Sequence, residues 1–461
     1  MRILQTSGRA APVLVAPRSQ ARWLVLGMLF VVTATNFACR AVVSVAGPAI
    51  EKTLHLSSIE MGFIFSAFAW SYVIAQIPGG WLLDRFGSKT TYAVALTLWS
   101  LFTLLQGGVG FFTGGAAVAA FFVLRLALGA AEAPAFPANG RITAAWFPAQ
   151  ERGFASAVFN AAQYAATAFF APLIGWTVHD FGWQYAFVAL GCVGLFLAFA
   201  WNKAVYSPSE HPLINQAELE YIRDGGALID LDARGTPETK KQFSTAACIR
   251  QLLASRMLLG VYIFQYCINV LTYFFLTWFP MYLVIERHMT ILKAGFVVSL
   301  PAICGFAGGL LGGWISDRLL EAGLSLSAAR KIPIVVGMLL AMSMIACNYV
   351  TSNTLIVMFM SLSFFGKGVG ALGWAVVSDT SPKEAAGLSG ALFNTFGNSA
   401  GIITPIVIGY ILEATGDFSG ALLFVGVNAA IAIVAMVFVV GKIQRFELND
   451  LTLRDTVLEE R

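Results

Sequence analysis

The chain has 461 residues, of which 58% are hydrophobic and only 12% are charged, and its mean hydropathy is +0.74. Soluble domains carry about 25% charged residues, so this composition excludes a soluble protein and indicates an integral membrane protein. The net charge of +4 is too small to suggest a nucleic-acid partner. The 6 cysteines are isolated from one another and the 4 histidines lie in or beside polar connections, which supports neither a disulfide framework nor a metal or other cofactor.

Apolar runs follow one another along the chain in two sets of six. Each run reaches or exceeds the ~20 residues that a membrane-spanning helix needs. The sequence therefore predicts an all-α integral membrane protein with twelve transmembrane helices, numbered here as spans 1–12. The runs cover residues 22–48, 59–83, 89–110, 116–146, 152–178, 182–206, 255–285, 291–317, 331–350, 353–378, 386–413 and 418–442.

The same pattern divides the chain into five segments. We expect a disordered N-terminal tail (residues 1–21), an N-terminal six-helix bundle (22–206), a linker (207–254), a C-terminal six-helix bundle (255–443) and a C-terminal tail (444–461). The first tail has no apolar core long enough for a cleavable signal. The linker sequence SPSEHPLINQAELEYIRDGG has the apolar spacing of a short surface helix, but the linker is too small to form a domain of its own.

Lysine and arginine are distributed unequally between the two sides of the predicted membrane. One side has few of them: Lys52, Arg287 and Lys293. Positive side chains are retained on the cytoplasmic side, so both termini are predicted to be cytoplasmic. That side carries Arg85, Lys89, Arg152, the 203–256 interval, Arg318, Arg330, Lys331, Lys383, Lys442 and Arg445.

Two segments of the first half reappear in the second. The sequence GGWLLDR, which starts at Gly79, matches GGWISDR, which starts at Gly312, at an offset of 233 residues. PAQERGFASAVFN, from Pro148, aligns with the segment from Pro382 at an offset of 234. Parallel six-helix repeats of this kind imply a pseudo-two-fold axis along the membrane normal and a cavity between the halves. A transporter with alternating access needs that symmetry.

The repeated GGW segment has a physical interpretation of its own. Gly80 would let neighbouring helices approach, and Asp84 would pair with Arg85 or cap a facing helix. The second copy, Asp317 with Arg318, suggests a charged gating latch that holds in one state and breaks in the other. The alternative is a turn whose charges only fix the orientation of the chain.

Span 4 contains Arg125 and Glu132 inside an otherwise apolar run. A charge at the centre of a spanning helix costs roughly 2.5–3.5 kcal/mol on insertion scales, so two such charges need a reason. Seven residues are about two helical turns, which places both side chains on one face, ~10 Å apart along the axis. They are either a structural ion pair between helices or a relay or anion site that faces a water-filled path.

The longer motifs resemble one known family. They are FSAFAWSYVIAQIPGGWLLDRFGSK, LRLALGAAEAPAFPANGRITAAWFPAQERG, QYCINVLTYFFLTWFP, GKGVGALGWAVVSDTSPKEAAGLSGALFNTFGN and HPLINQAELEYI. These resemble the anion:cation symporter branch of the major facilitator superfamily, most of all bacterial glucarate/galactarate transporters, with galactonate and hexuronate carriers next. The resemblance implies a monomeric multi-pass protein of the bacterial cytoplasmic (inner) membrane, with the major facilitator fold of two pseudo-symmetric bundles.

The resemblance also implies a site for a sugar acid between the halves. Arg40 would bind a substrate carboxylate, because its planar guanidinium group can form two parallel hydrogen bonds with a carboxylate. Side chains that donate and accept hydrogen bonds would bind the substrate hydroxyls. For some of them the alternative role is helix packing. Asn160 and Asn394 occupy equivalent positions in the repeat, and one of the two could be structural. The proposed hydroxyl-binding residues are Tyr72, Gln76, Gln163, Trp374 and Asn394.

Two further roles follow from the resemblance. Glu132 with Arg125 would be the proton-coupling pair. Lys367, near the middle of span 10, would hold the second carboxylate of a diacid while Arg40 holds the first, unless it extends to the membrane interface. The expected partners are thus a sugar-acid anion, protons and the lipid bilayer.

One position departs from the branch. Relatives have an acidic residue immediately before the span 1 arginine, where this chain has Cys39, and often a tyrosine where it has Phe37. The predicted function is import of glucarate or galactarate with protons. The missing acid leaves open an uncoupled uniporter or an exchanger for galactonate, hexuronate or another organic anion. A sugar-acid sensor is a remote alternative. An enzyme is not expected, since no nucleophile–base pair, metal motif or phosphate loop is legible.

Overall fold

The computed structural model describes residues 19–231, 245–382 and 385–448. In these ranges the chain is helical, with short 3₁₀ and π-helical turns and no β-strand. The first half contains α1 (Ala21–Val45), α2 (Gly47–Leu54), α3 (Ser58–Phe86), α4 (Ser88–Gly107), α5 (Gly115–Glu132), α6 (Ala135–Trp146), α7 (Ala149–Asp180) and α8 (Trp183–Ala204). The predicted linker contains α9 (Gln216–Asp224) and α10 (Thr245–Ala254).

The second half repeats this arrangement. It contains α11 (Arg256–Thr277), α12 (Phe279–Ile285), α13 (Ile291–Glu321), α14 (Leu326–Ala341), α15 (Asn353–Val369), α16 (Gly373–Thr380), α17 (Ala386–Thr415) and α18 (Ser419–Val434). Twelve helical segments of the described ranges are long and apolar enough to cross a membrane. The prediction of an all-α membrane protein with twelve spans is confirmed.

Some spans end earlier than their apolar runs. Span 1 was predicted to reach residue 48 but α1 ends at Val45, and the following short helix α2 has Pro48 in its first turn. Span 7 was predicted to reach residue 285 but α11 ends at Thr277, and Pro280 lies in the first turn of α12. Proline is favoured in a first helical turn because the N–H it lacks has no intrahelical partner there. Hydrophobicity alone therefore overestimated these two spans.

Packing divides the helices into two bundles of six spans. In the first half α1 packs on α7 and α8, α3 packs on α5, and α4 packs on α5 and α8. In the second half α11 packs on α17 and α18, and α13 and α14 pack on α15. The halves meet through α7 against α13 and α3 against α17, with α1 against α11 and α12 between them.

The two ends of the molecule differ. We call the end where α1 begins and α18 ends the terminal face, and the end that carries α2 and α12 the opposite face. At the opposite face the halves touch backbone to backbone: a Cβ atom on Gly62 would lie 2.7 Å from the Pro405 carbonyl oxygen, and one on Gly295 would lie 2.7 Å from that of Ala171. Only glycine permits such contacts. The opposite face is closed.

At the terminal face the linker packs against the first half. The fully buried Glu218 of α9 accepts hydrogen bonds from Arg22 Nη1 (2.8 Å) and from the backbone N–H of Ala21 (3.0 Å) at the start of α1. Arg22 Nε also donates to Glu151 (3.1 Å), which accepts from the Tyr221 hydroxyl (2.7 Å). The short linker helix predicted from the sequence is therefore present, and it joins α1 to α7.

Several segments predicted from the sequence fall outside the described residues. These are most of the N-terminal tail (1–18), residues 232–244 of the linker, the segment that contains Lys383 (383–384), and residues 449–461 of the C-terminal tail.

Candidate functional site

A cavity of about 390 Å³ lies between the two halves. Its wall is built from both bundles, as the repeat predicted, and its size falls within the roughly 300–1,000 Å³ of small-molecule sites. Seven of its lining residues were named from the sequence: Phe37, Arg40, Tyr72, Asn160, Gln163, Trp374 and Asn394. Five polar lining residues were not named, all from the second half: Gln265, Asn269, Thr272, Tyr273 and Asn398.

Arg40 is the cation of this cavity. Its guanidinium lies 4.6–4.9 Å from the ring centroids of Phe37, Phe68 and Tyr72. Its Nε donates to Glu132 Oε2 at 2.7 Å, while Nη2 is buried without a partner. Aromatic faces attract a guanidinium and limit its motion. Arg40 is thereby held in place with one of its donors unused.

The structure corrects the predicted partner of Glu132. Arg125 has no carboxylate within ion-pair distance among the described residues, and its Nε and Nη1 are buried without hydrogen-bond partners. Seven residues separate it from Glu132 along one helix, a rise of ~10 Å that the two side chains do not bridge. Arg40 reaches Glu132 from the facing helix α1 instead. The three charged side chains still form one cluster, all at most 8% exposed.

Glu132 is the last residue of α5, where span 4 breaks. Ala133 and Pro134 separate α5 from α6, and in the second half Gly370–Leu372 separate α15 from α16 within span 10. Lys367 lies near this second break. Broken helices at corresponding positions of two repeats typically mark the binding site of a transporter. Pro134 lies at the first break and Gly370 at the second, although neither residue alone predicts a break.

A hydrogen bond connects the two halves next to the cavity. Asn394 Nδ2 of α17, which lines the cavity, donates to Gln76 Oε1 of α3 at 3.0 Å, whereas Gln76 itself is not among the lining residues. Asn398 Nδ2 donates to Asn394 Oδ1 at 3.1 Å, and the Tyr273 hydroxyl donates to Asn398 Oδ1 at 3.1 Å. These last two residues were missed. Asn398 follows Asn394 by one helical turn, the spacing that could have indicated it.

The cavity wall becomes more exposed toward the terminal face. Tyr72, deep in the cavity, is 4% exposed, whereas Trp374 is 56% exposed and contacts Phe393 edge to face. Asn160 is also exposed and donates only to the Ser156 carbonyl of its own helix. With the opposite face closed, the cavity opens toward the terminal face.

Lys367 lies in a second, smaller cavity next to the first. Gln163 lines both cavities, as do Phe37, Thr272 and Leu276. The Lys367 ammonium is 5.2 Å from the Phe364 ring centroid and 5.7 Å from that of Tyr164, and the side chain is 7% exposed. Among the described residues no carboxylate lies within ion-pair distance of this ammonium. A buried ammonium of this kind can accept an anion that enters from the neighbouring cavity.

The structure also corrects the partners of the predicted latch. Asp84 pairs with Arg141 of α6 (2.6 Å), and Asp317 pairs with Arg330 of α14 (3.6 Å), which also donates to Asp379 (2.9 Å). Arg85 and Arg318, each adjacent in sequence to an aspartate, point elsewhere: their guanidinium groups lie over Trp81 and Trp314, and Arg318 pairs with Glu321. Consecutive residues on a helix face different directions, so the aspartates find partners on other helices.

Gly80 does not have the packing role assigned to it. A Cβ atom on Gly80 would meet nothing within 4 Å, whereas one on Gly79 would lie 3.2 Å from Pro134. The second copy behaves alike: Gly313 faces open space, and a Cβ atom on Gly312 would lie 2.2 Å from the Val369 carbonyl oxygen. The first glycine of each pair is the contact residue.

Comparisons with known proteins agree with this architecture. The chain is 59% identical to the probable galactarate/D-glucarate transporter GudP of Bacillus subtilis (strain 168), and the match covers 94% of each chain. It is 57% identical to the protein of that name from Escherichia coli (strain K12), over 94% of this chain and 97% of the relative. These relatives are named as transporters, not enzymes.

Among solved structures, the crystal structure of a D-xylose-proton symporter superposes with a TM-score of 0.68 at 15% identity, covering 91% of this chain and 98% of the other. At that identity the likeness concerns the fold. The family model described as the Major Facilitator Superfamily matches residues 29–347. The chain therefore belongs to the Major Facilitator Superfamily of membrane transporters.

Proposed function

We propose that this protein imports a sugar-acid anion, with glucarate or galactarate the preferred substrates, together with protons. The observation that carries the proposal is Arg40, which lines the cavity while its Nε is bound to the buried carboxylate of Glu132. A substrate carboxylate and Glu132 would compete for the same guanidinium. The names of the relatives supply the substrate class.

Coupling follows from that competition. When a substrate carboxylate binds Arg40, Glu132 loses its partner in an apolar environment, where the neutral acid is favoured. Proton binding to Glu132 and substrate binding to Arg40 therefore support each other. When the proton leaves, Glu132 reclaims Arg40 and the substrate is released. In this cycle the contact between Arg40 and Glu132 would belong to the deprotonated state.

We propose that Lys367 binds the second carboxylate of a diacid. Arg40 and Lys367 come from opposite halves, and their cavities share Gln163, Phe37, Thr272 and Leu276. An extended six-carbon diacid could reach both cations, while the amides and hydroxyls between them would meet its hydroxyl groups. The proposed hydroxyl-binding set is that predicted from the sequence, with Asn269, Tyr273 and Asn398 added.

We also propose the orientation and the moving parts. The excess of lysine and arginine on the terminal face would make that face cytoplasmic, in the inner membrane of a bacterium. The rigid units would be residues 22–206, together with the bound part of the linker, and residues 255–443. One chain lines the whole cavity, so a monomer would suffice. The pairs of Asp84 with Arg141 and of Asp317 with Arg330 would rearrange between the two states.

The test is uptake of labelled glucarate into proteoliposomes with and without an inward proton gradient. We expect the wild type to accumulate glucarate only with the gradient. Glu132→Gln should lose accumulation but keep exchange of labelled for unlabelled substrate, since a neutral side chain needs no proton to leave Arg40. Accumulation by Glu132→Gln at the wild-type level would remove Glu132 from the mechanism.

A second candidate function is facilitated diffusion or anion exchange. It is favoured by Cys39, which is fully buried and precedes Arg40 at the position where the resembled branch commonly has an acid. In this case the wild type would equilibrate glucarate without accumulating it, and Cys39→Asp would restore gradient-driven accumulation in the same assay.

A further inference from the structure

Glu132 has no exposed surface, and it does not line the central cavity. Arg40 covers it from that side together with the rings of Phe37, Phe68 and Tyr72. Toward α3 the helices are in direct contact, because a Cβ atom on Gly129 would lie 2.2 Å from the Phe68 carbonyl oxygen. A proton on Glu132 therefore has no open route through the substrate cavity.

A row of buried polar side chains leads away from Glu132 in another direction. On α1, Asn36 and Thr33 follow Arg40 at one-turn intervals toward the terminal face, and both are 2% exposed. On α6, Asn139 and Thr143 lie one turn apart and are each 1% exposed. Residues spaced by three, four or seven positions share a helix face. The polar faces of α1 and α6 thus turn toward each other inside the first half.

Contacts join some of these residues. Asn36 lies beside the Glu132 carboxylate. Asn139 Nδ2 donates to Thr33 Oγ1 at 3.0 Å, and the hydroxyl of Tyr92, from α4, lies beside the same two side chains. We call Asn36, Thr33, Asn139, Tyr92 and Thr143 the polar ladder.

The ladder ends near the terminal face. Tyr92 lies one helical turn from Ser88, and Thr143 lies one residue from Ile142 and two from Ala145. These three residues line a small pocket of about 10 Å³ near the terminal face, together with Tyr206 and Pro208 of the segment after α8. The ladder thus leads from Glu132 toward the terminal face.

The ladder is unusual in its unsatisfied groups. Among the buried polar atoms without a hydrogen-bond partner are Asn36 Nδ2 and Oδ1, Asn139 Oδ1, Thr143 Oγ1, the Tyr92 hydroxyl and Glu132 Oε1. Buried polar groups that protein atoms leave unsatisfied are normally satisfied by internal water. Hydroxyl groups that alternate with bound water can pass a proton along, and amide groups can hold that water in place. An apolar helix contact would be more stable, so the row needs a functional reason.

We propose that the polar ladder carries protons between Glu132 and the terminal face, through the interior of the first half and apart from the substrate cavity. This inference rests on the proposed proton coupling at Glu132. The charged and titratable groups around Glu132 are Arg40, Arg125 and Cys39, and Tyr92 is the titratable group of the ladder itself. Only the proton moves; no bond between heavy atoms changes.

The test compares Tyr92→Phe and Asn139→Leu in proteoliposomes by two readouts. Gradient-driven accumulation of glucarate requires net proton movement, whereas exchange of labelled for unlabelled glucarate does not. We expect each variant to lower accumulation by at least about tenfold, as loss of a positioned proton-transfer group does, and to keep exchange within about twofold of the wild type. The matched controls are Tyr262→Phe and Asn428→Leu, a buried tyrosine and asparagine of the second half, which should keep both activities.

Other outcomes would overturn the inference. If Tyr92→Phe, which preserves the ring and its packing, accumulates glucarate as the wild type does, the ladder does not carry the proton. If accumulation and exchange fall together in both variants, the residues have a structural role instead. Failure of the wild type itself to accumulate glucarate would remove proton coupling and the ladder together, so the two proposals are separated by the wild-type measurement.

Discussion

In the charged cluster of Arg40, Arg125 and Glu132, one carboxylate interacts with two cations, and it interacts more closely with Arg40. Arg40 Nε donates a hydrogen bond to Glu132 Oε2 at 2.7 Å, and Arg125 contributes charge from a distance. A buried charge without a close partner is costly, so a role is expected for Arg125. Because its own position does not depend on Arg40, it keeps a positive potential at Glu132 whichever partner Arg40 has. We infer that Arg125 lowers the cost of releasing the proton when Glu132 returns to Arg40.

Lys367 offers a test of the substrate at the level of one side chain. Lys367→Gln removes the buried ammonium but keeps a polar side chain of similar length. We expect the KM for glucarate, a diacid, to rise about tenfold or more, since a hydrogen bond to a charged group is worth ~1.5–3 kcal/mol. The KM for galactonate, a monoacid, should change by less than about twofold, because Arg40 alone would hold its carboxylate.

The control for this measurement is Lys293→Gln, which removes an exposed lysine at the opposite face. It should leave both KM values unchanged. An equal loss for the diacid and the monoacid in Lys367→Gln would contradict the assignment of Lys367 to the second carboxylate.

Individual residues were easier to predict than their partners. Arg125, Glu132 and Lys367 stood out because a charge in an apolar run is rare whatever the fold, whereas Arg40 was named from the family resemblance. Their partners depend on how helices pack: Glu132 and Arg40 lie 92 positions apart in the sequence, and no spacing rule joins them. The same limit explains Asp84, whose partner Arg141 is 57 positions away.

At the scale of helices, the spans were predictable because about 20 apolar residues in a row have few alternatives. Their interruptions were not. Pro134 and Gly370 lie inside continuous apolar runs, and a proline or glycine within a spanning helix is often tolerated without a break. The breaks at Ala133–Pro134 and Gly370–Leu372 become visible only in the three-dimensional structure, where neighbouring helices pack around them.

The helix α9 gives a prediction about stability. Glu218 is fully buried and bonds to Arg22 and to the first backbone N–H groups of α1. Glu218→Gln would weaken the hydrogen bonds that cap the start of α1 and leave Glu151 as the only carboxylate paired with Arg22. Breaking a buried ion pair typically costs about 3–5 kcal/mol, and the remaining Glu151 contact would reduce that cost. We expect the Tm of the detergent-purified protein to fall by several degrees, as measured by tryptophan fluorescence.

Glu220→Gln is the matched control, because Glu220 belongs to the same helix and its carboxylate bonds only to the exposed Gln216. Its Tm should equal that of the wild type. Equal Tm values for all three proteins would mean that α9 does not stabilise the first half.

The helix α2 gives a prediction about pH. Burial, and then the nearby Glu413 carboxylate, raise the pKa of Glu51 at the closed opposite face. The closed arrangement therefore binds a proton more readily than an open one, and it loses stability as the pH rises through the range just above the ordinary carboxyl pKa of about 4.3. Glu51→Gln should raise the Tm at about pH 7.5 more than at about pH 5.

The comparison for this measurement is Glu286→Gln, which changes an acid at the end of α12 on the same face. It should shift the Tm equally at both pH values. If Glu51→Gln does the same, the Glu51 carboxylate does not oppose closure.

At the scale of the whole molecule, the state of the transporter is set by glycine contacts at the opposite face. Gly295→Val would place side-chain atoms against the Ala171 carbonyl, whose oxygen lies 2.7 Å from a Cβ atom at that position. Closure at this face should become unfavourable. An Asn269→Cys reporter in the cavity, in a background without the native cysteines, should then react faster with an impermeant maleimide added at the opposite face.

Gly313→Val on the same helix is the control, because a Cβ atom there meets nothing within 4 Å. The reporter should react at the same rate as in the protein with both glycines. A maleimide reaction that is equally slow in Gly295→Val would show that the contact between α7 and α13 does not hold the face closed.

The buried charges within the spans have an electrical consequence. In the proposed cycle Arg40, Arg125 and Lys367 stay positive while Glu132 changes from a carboxylate to a neutral acid, so this region has a net charge of two before substrate and proton bind. A dianion that enters with one proton lowers that net charge to one. We therefore expect the loaded protein to change state with less buried charge than the unloaded one, and a diacid would act as a counter-ion within the protein interior.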